Sequence, residues 1–216
     1  MKKLVIISLM IWVTSCNSLS AEQKLSSIIT TYQKYQTDLS TDSPLGDYSE
    51  DFFKQKAQFC DSILVELQKI DSTLLSEEDK ISATLLEFIL KETVTKYRFK
   101  THWNPILSDA GFHSSLTYRV RPITNKKSAL DYLKLLKAIP DYIQQQAVLI
   151  RKGLDAGMGQ PLVIFKGYES TYEQHLTATV EENFYYSPFL KLPAPLSKEE
   201  KDSLRQAAKK VIMEEV

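Results

Sequence analysis

From Ala21 onward, apolar residues recur at three and four positions rather than at two, and this pattern constrains the fold more than any other feature of the chain. That period belongs to helices that bury one face against each other. The six glycines and eight prolines fall mainly where the pattern breaks. A strand would need alternation, and the best candidate, Pro161-Leu162-Val163-Ile164-Phe165, is short and continuous with a helical pattern. The expected fold is therefore all-α, an irregular bundle of about six to seven helices. Each large apolar side chain contributes roughly 1.5–3 kcal/mol on full burial, most of it offset by conformational entropy.

The punctuation divides the chain as follows. A first helix is expected from Ala21 to Leu39, before the break at Ser40 to Gly46. A second starts at Ser49 or Glu50, with Phe53, Ala57, Cys60, Leu64 and Leu67 inward. Ser76 and Asp79 resemble a capping box that opens a third, with Ile81, Leu85, Phe88 and Ile89 inward. Asn104-Pro105 ends it, and Trp103 to Pro122 has no persistent period. Thr124 is placed to cap a fourth helix carrying Ala129, Leu130, Leu133 and Leu136. Pro140 opens a fifth at a tolerated first-turn position, with Ile143, Ala147 and Ile150 inward. A sixth is expected from Pro161, with Phe165, Tyr168, Tyr172 and Leu176 on one face. After a turn-rich connection, Ser197 and Glu200 form a strong capping box for the last helix, which uses Leu204, Ala208 and Val211. That helix is still amphipathic at Val216, which fits either a normal terminal helix or one cut from a longer sequence.

The first residues carry an address rather than a fold. Lys2 and Lys3 precede the apolar run Leu4 to Val13, which is followed by Thr14, Ser15 and Cys16. A basic start, a short apolar core and a small residue are the parts of an export signal. The run is too short for a membrane span, which takes about 20 apolar residues. A small residue before a cysteine resembles a bacterial lipoprotein signal, in which the cysteine becomes the new N-terminus and carries lipid. The division expected is a signal peptide over 1–15, a short tether over 16–20 beginning at lipidated Cys16, and a helical region over 21–216. The resemblance implies a protein of the cell envelope held to the membrane through Cys16. The absence of Asp after Cys16 resembles an outer-membrane address in a Gram-negative cell. Cys60 is the only other cysteine, so lipidation of Cys16 leaves no intramolecular disulfide. Its apolar neighbours mark Cys60 as a small buried hydrophobe rather than a nucleophile.

Candidate chemistry is sparse. The formal net charge is zero and basic residues are interleaved with acids, so no stripe for nucleic-acid phosphates forms. The three histidines, His102, His113 and His175, include no pair four apart, so the helical His-Glu-x-x-His arrangement is missing. Gly167-Tyr168-Glu169-Ser170 lacks the spacing of a nucleophile elbow. No catalytic, cofactor or metal residue is assigned. Trp103, Phe112, Tyr118, Tyr185, Tyr186 and Phe189 lie in irregular or boundary segments, where they either line a peptide or sugar cleft or pack helix ends. Packing is the favoured reading.

The segment from Pro122 to Ile143, the segment Leu149-Ile150-Arg151-Lys152-Gly153-Leu154-Asp155-Ala156-Gly157-Met158-Gly159-Gln160-Pro161, Ser187-Pro188-Phe189 and the helix from Ser197 together resemble the N-terminal half of the DUF885 family. The resemblance implies a large helical bacterial protein, often a lipoprotein, similar to zinc metallopeptidases. The family's zinc motif lies in its second half, and none of its positions maps onto this chain. Zinc is thus implied only for a longer relative, and this portion is expected to be inactive alone. A missing C-terminal half or a separate downstream chain is the implied partner. Asp131, Tyr132, Arg151, Gly153, Gly157 and Pro161 match recurring features of the family, and scaffold or cleft-wall roles are expected for them. The alternative is an independent helical lipoprotein that binds a peptide, a glycan or an envelope protein.

Overall fold

The computed structural model describes residues 19–39, 43–107, 110–173 and 175–216. The export signal and Cys16 lie outside these residues. The fold is all-α, with eight α-helices among the described residues, two of them single turns. No described helix is long and apolar enough to cross a membrane.

The first three helices form one packing unit. Helix α1 spans Ala21–Asp38 and opens on a capping box: Ser20 Oγ accepts the Gln23 amide at 3.2 Å, and Gln23 Oε1 accepts the Ser20 amide at 3.0 Å. This satisfies two of the amides that a helix start leaves open. Ser20, expected in the tether, is therefore part of the fold. Helix α2 spans Glu50–Gln68 and is capped by Ser49. Helix α3 spans Glu77–Arg98, capped by Ser76, with three acids in its first turn and Lys96 and Arg98 in its last. That charge order complements the helix dipole. The three helices bury Leu25, Cys60, Ile63, Leu67, Leu86 and Leu90. On α2 the expected Phe53 and Leu64 are only half-buried, and Ile63 takes the central place. On α3 the expected face is the wrong one: Ile81, Leu85, Phe88 and Ile89 are exposed. The helix carries apolar residues on two faces, and its packing selects Leu86 and Leu90.

A 3-10 turn at Thr101–Trp103, a two-residue β pairing (β1 Ile106–Leu107 with β2 Ala110–Gly111) and a 3-10 turn at Ser114–Arg119 lead to the second unit. There α4 (Lys126–Lys137) is capped by Asn125, not Thr124, with Ser128 reciprocating. Helix α5 (Ile139–Asp155) starts with Pro140 in its first turn, as expected. Its buried face is Tyr142, Gln146 and Leu149, one position away from the expected Ile143, Ala147 and Ile150. On α4 Leu130 is exposed while Ala129, Leu133 and Leu136 are buried.

The expected sixth helix does not form. Residues Leu162–Phe165 make a 3-10 turn and Ser170–Glu173 a single helical turn, α6. Gly167 between them has φ +78°, a left-handed conformation that ends any continuing helix. A second single turn, α7 (Ser187–Leu190), precedes α8 (Lys198–Glu214). The predicted capping box is present: Ser197 Oγ accepts from the Glu200 amide at 3.1 Å and Glu200 Oε2 from the Ser197 amide at 3.0 Å. Leu204, Ala208, Val211 and Ile212 of α8 join Leu136, Tyr185 and Phe189 in the second core.

Candidate functional site

Glu50, the first residue of α2, is the point where the two units meet. The connection after α3 turns sharply because Lys100 adopts φ 55°, a left-handed backbone that costs a non-glycine residue about 1 kcal/mol. The turn delivers His102 and Trp103 to Glu50. The Trp103 indole N–H donates to Glu50 Oε2 at 2.6 Å, and His102 Nε2 lies 3.2 Å from the same oxygen. Lys100 Nζ is 3.4 Å from Oε1, and Lys152 Nζ of α5 is 3.5 Å from Oε2. Burial alone would raise the Glu50 carboxyl. The Trp103 N–H, His102 and Lys152 outweigh it and hold the group at about 2. Burial lowers His102, more than Glu50 raises it, so the ring is neutral at pH 7 and donates through Nε2–H. Phe53 and Tyr97 stack on His102 with centroids at 4.5 and 5.4 Å.

Gly153 of α5 lets this junction close. A Cβ there would lie 2.5 Å from the Trp103 carbonyl oxygen, so only glycine fits without movement. The α5 backbone thus braces the turn that carries Trp103.

Above the junction, between the two units, lies a cleft of about 630 Å³. Tyr32, Tyr48, Phe53, Tyr97, Phe112 and Tyr142 supply aromatic wall, and Lys56, Lys96 and Glu92 the charges. The aromatic rings are fixed. Tyr48 packs edge-on to Tyr142 at 5.0 Å, its amide donates to Gln145 Oε1 at 2.6 Å, and Tyr142 donates its hydroxyl to the Phe112 carbonyl at 2.9 Å. Burial raises Tyr142, which therefore stays a neutral hydroxyl. A concave, largely apolar site with a few polar groups is the usual form of a ligand pocket. Glu92 in the lining pairs with Lys96 at 2.9 Å, and His102 in the lining is held by Glu50 at 3.2 Å. A carboxyl ionised down to about pH 2 is a poor base at neutral pH.

A second polar cluster sits in the irregular region. His113 Nε2 is 2.9 Å from Thr171 Oγ1, and His175 Nδ1 is 3.0 Å from the Tyr185 hydroxyl. The two rings are 6.3 Å apart, and burial lowers both. His175 Nε2 is buried without a hydrogen-bond partner among the described residues. No group of three or more His, Cys, Asp or Glu side chains among the described residues converges as metal ligands would.

The residues singled out by sequence lie elsewhere. Asp131 is exposed on α4 and pairs with Lys127 at 2.6 Å. Tyr132 is buried, donates to the Tyr185 carbonyl at 3.0 Å and packs beside Phe189. Arg151 is exposed on α5. Gly157, at φ +75°, follows the α5 terminus, and Pro161 precedes the Leu162–Phe165 turn. Only Gly153 touches the Glu50 junction, and none of the six lines the cleft. Of the aromatics named from sequence, Phe112 lines the cleft and Trp103 donates to Glu50 at the junction. Tyr185, Tyr186 and Phe189 are core, and Tyr118 is exposed. Glu50, Tyr142 and Lys152 carried no chemical signal in sequence beyond their place on helices, and Tyr48, in the connection before α2, carried none.

No curated protein and no solved structure matches the chain. A family model described as "Bacterial protein of unknown function (DUF885)" matches residues 30–216. The match takes in the second half of α1, the rest of both packing units, the Glu50 junction and the cleft, so the chain belongs to the DUF885 family.

Proposed function

We propose that this chain is a lipid-anchored protein of the bacterial envelope, the non-catalytic N-terminal portion of a peptidase-like protein, and that its aromatic cleft holds peptide rather than cutting it. The observation that carries the reading is the pairing of a well-formed aromatic cleft with an acid–histidine pair spent on structure. Rigid aromatic walls favour extended chains with apolar or aromatic side chains. Lys56 in the lining favours a carboxylate, Lys96 there being paired with Glu92 at 2.9 Å. The zinc, the water-activating carboxylate and the bond cleavage belong, on this reading, to residues outside the chain. The sequence from Lys2 to Cys16 supports attachment through lipid on Cys16, facing the periplasm or the cell surface if the cell is Gram-negative.

The test uses the purified chain with mixed peptides, with and without added zinc. The expected result is saturable binding, read by Trp103 fluorescence and weakened by Phe112→Ala, without hydrolysis. Turnover that co-purifies with the chain through successive columns refutes the proposal. Incorporation of labelled fatty acid, lost in Cys16→Ser, tests the anchor. The alternative of an independent binding protein also draws on the cleft. It predicts that adding the downstream region leaves peptide affinity unchanged, whereas the first reading predicts that this region restores cleavage.

A further inference from the structure

The outward face of α3 is an apolar stripe with no packing partner among the described residues. Ile81, Leu85, Phe88 and Ile89 are 63%, 59%, 65% and 41% exposed. At roughly 100° per residue they fall within about 60° of the line through Leu85. The opposite face, with Leu86 and Leu90, is the one buried in the first core. Four large side chains at this exposure present on the order of 400 Å² of contiguous apolar surface, a size that marks interaction sites on monomers.

Charge identifies the occupant. The same line carries exposed Glu78 two turns before Leu85, and exposed Lys96 two turns after Ile89. Glu78 and Lys96 are equidistant in sequence from residue 87, and so are Leu85 and Ile89. A second α3 laid antiparallel about that midpoint therefore sets Leu85 against Ile89, Phe88 beside its own copy, and Glu78 against Lys96 at both ends. A parallel partner would oppose like charges at each end. Lys96 already has Glu92 at 2.9 Å, an exposed pair of the kind worth only tenths of a kcal/mol and readily exchanged.

We propose that this face is the interface of an antiparallel two-fold homodimer built on α3. Two such patches bury on the order of 800 Å², below the range of stable complexes, so the association is weak, with a dissociation constant of roughly 10 μM to 1 mM. Ile89 and Lys96 also line the cleft, so the second copy lies along its rim.

The test is sedimentation equilibrium across that concentration range, on the full chain in detergent and on a chain lacking residues 1–16, which belong to no described element. The expected result is a monomer–dimer equilibrium, weakened at least about tenfold by Phe88→Glu. Glu78→Lys and Lys96→Glu each weaken self-association. Mixing these two variants, or combining both changes in one chain, restores it. Exposed positions are used throughout, and unchanged helical circular dichroism reports that the variants fold. A monomer at all concentrations, or a dimer indifferent to Phe88→Glu and to the charge exchange, overturns the proposal, and a monomer leaves the face to a different partner.

Discussion

Replacing Gly153 by Ala tests the junction most directly. On an exposed helix the change would gain about 1 kcal/mol from propensity. Here the new Cβ would sit 2.5 Å from the Trp103 carbonyl oxygen and 3.3 Å from both the Trp103 carbonyl carbon and Cβ. Ordinary carbon–oxygen contact begins near 3.3 Å, so α5 and the turn must separate by roughly 0.8 Å. The obstacle is backbone, which cannot swing aside as a side-chain tip can. Overpacking of this kind costs about 1–3 kcal/mol, and the displaced turn weakens the charge-assisted Trp103–Glu50 bond, itself worth about 1.5–3 kcal/mol. Less the propensity gain, the expected net loss is about 2 kcal/mol, or roughly 4–8 °C in Tm for a chain of this length. The sequence has two tryptophans, Trp12 and Trp103, so in a chain lacking residues 1–16 Trp103 is the only one. Its emission should shift red in Gly153→Ala as the indole loses its partner. Gly159→Ala is the control, because a Cβ there meets only Leu154 Cδ2 at an ordinary 3.7 Å. A Gly153→Ala protein as stable as its parent, with unchanged emission, would refute the close-contact argument.

The Glu50 carboxyl is held at about 2 against an ordinary 4.5, so it stabilises the fold above pH 4.5 and loses that contribution as pH falls from 4.5 toward 2. Glu50→Gln should cost on the order of 2–3 kcal/mol at pH 7 and flatten the acid limb of a urea-midpoint profile; an unchanged limb counts against the junction. Burial lowers His102, His113 and His175, so the unfolded chain takes up their protons first. Stability should therefore decline as pH drops below 6.5, and a flat or rising urea midpoint between pH 7.5 and 5.5 would contradict this. Burial raises the Cys60 thiol, so in a chain lacking Cys16 its reaction with a disulfide reagent should be slow in native buffer and rapid in denaturant.

Local signals were legible where one residue determines its neighbours. Ser197 with Glu200 announced α8, and Leu204, Ala208 and Val211 gave its inner face. Pro140 announced α5, but its register slipped because the buried position is Gln146, a polar residue that an apolar count passes over. On α3 two apolar faces compete, and periodicity cannot say which one meets a neighbour. The segment after Pro161 keeps a helical period in sequence, while Gly167 within it breaks the backbone at φ +78°. The cleft was hardly legible. Glu50 and Trp103 are 53 positions apart, and Tyr48 and Gln145 are 97, so no local pattern joins them. Only the gathering of aromatics in an aperiodic stretch hinted at a site, and it picked out Phe112 and Trp103 alongside residues that are plain core.

The turn at Thr101–Trp103 works as a rivet between two halves that share no helix among the described buried clusters. Spacing between the aromatic walls is then fixed at the same place as the mechanical continuity of the chain. A guest that grips Phe53 on one side and Tyr142 on the other tightens that rivet without touching Glu50. Amide protons in α2 and α5 should consequently slow their exchange in step when the guest arrives, and lose that synchrony once the rivet is drilled out.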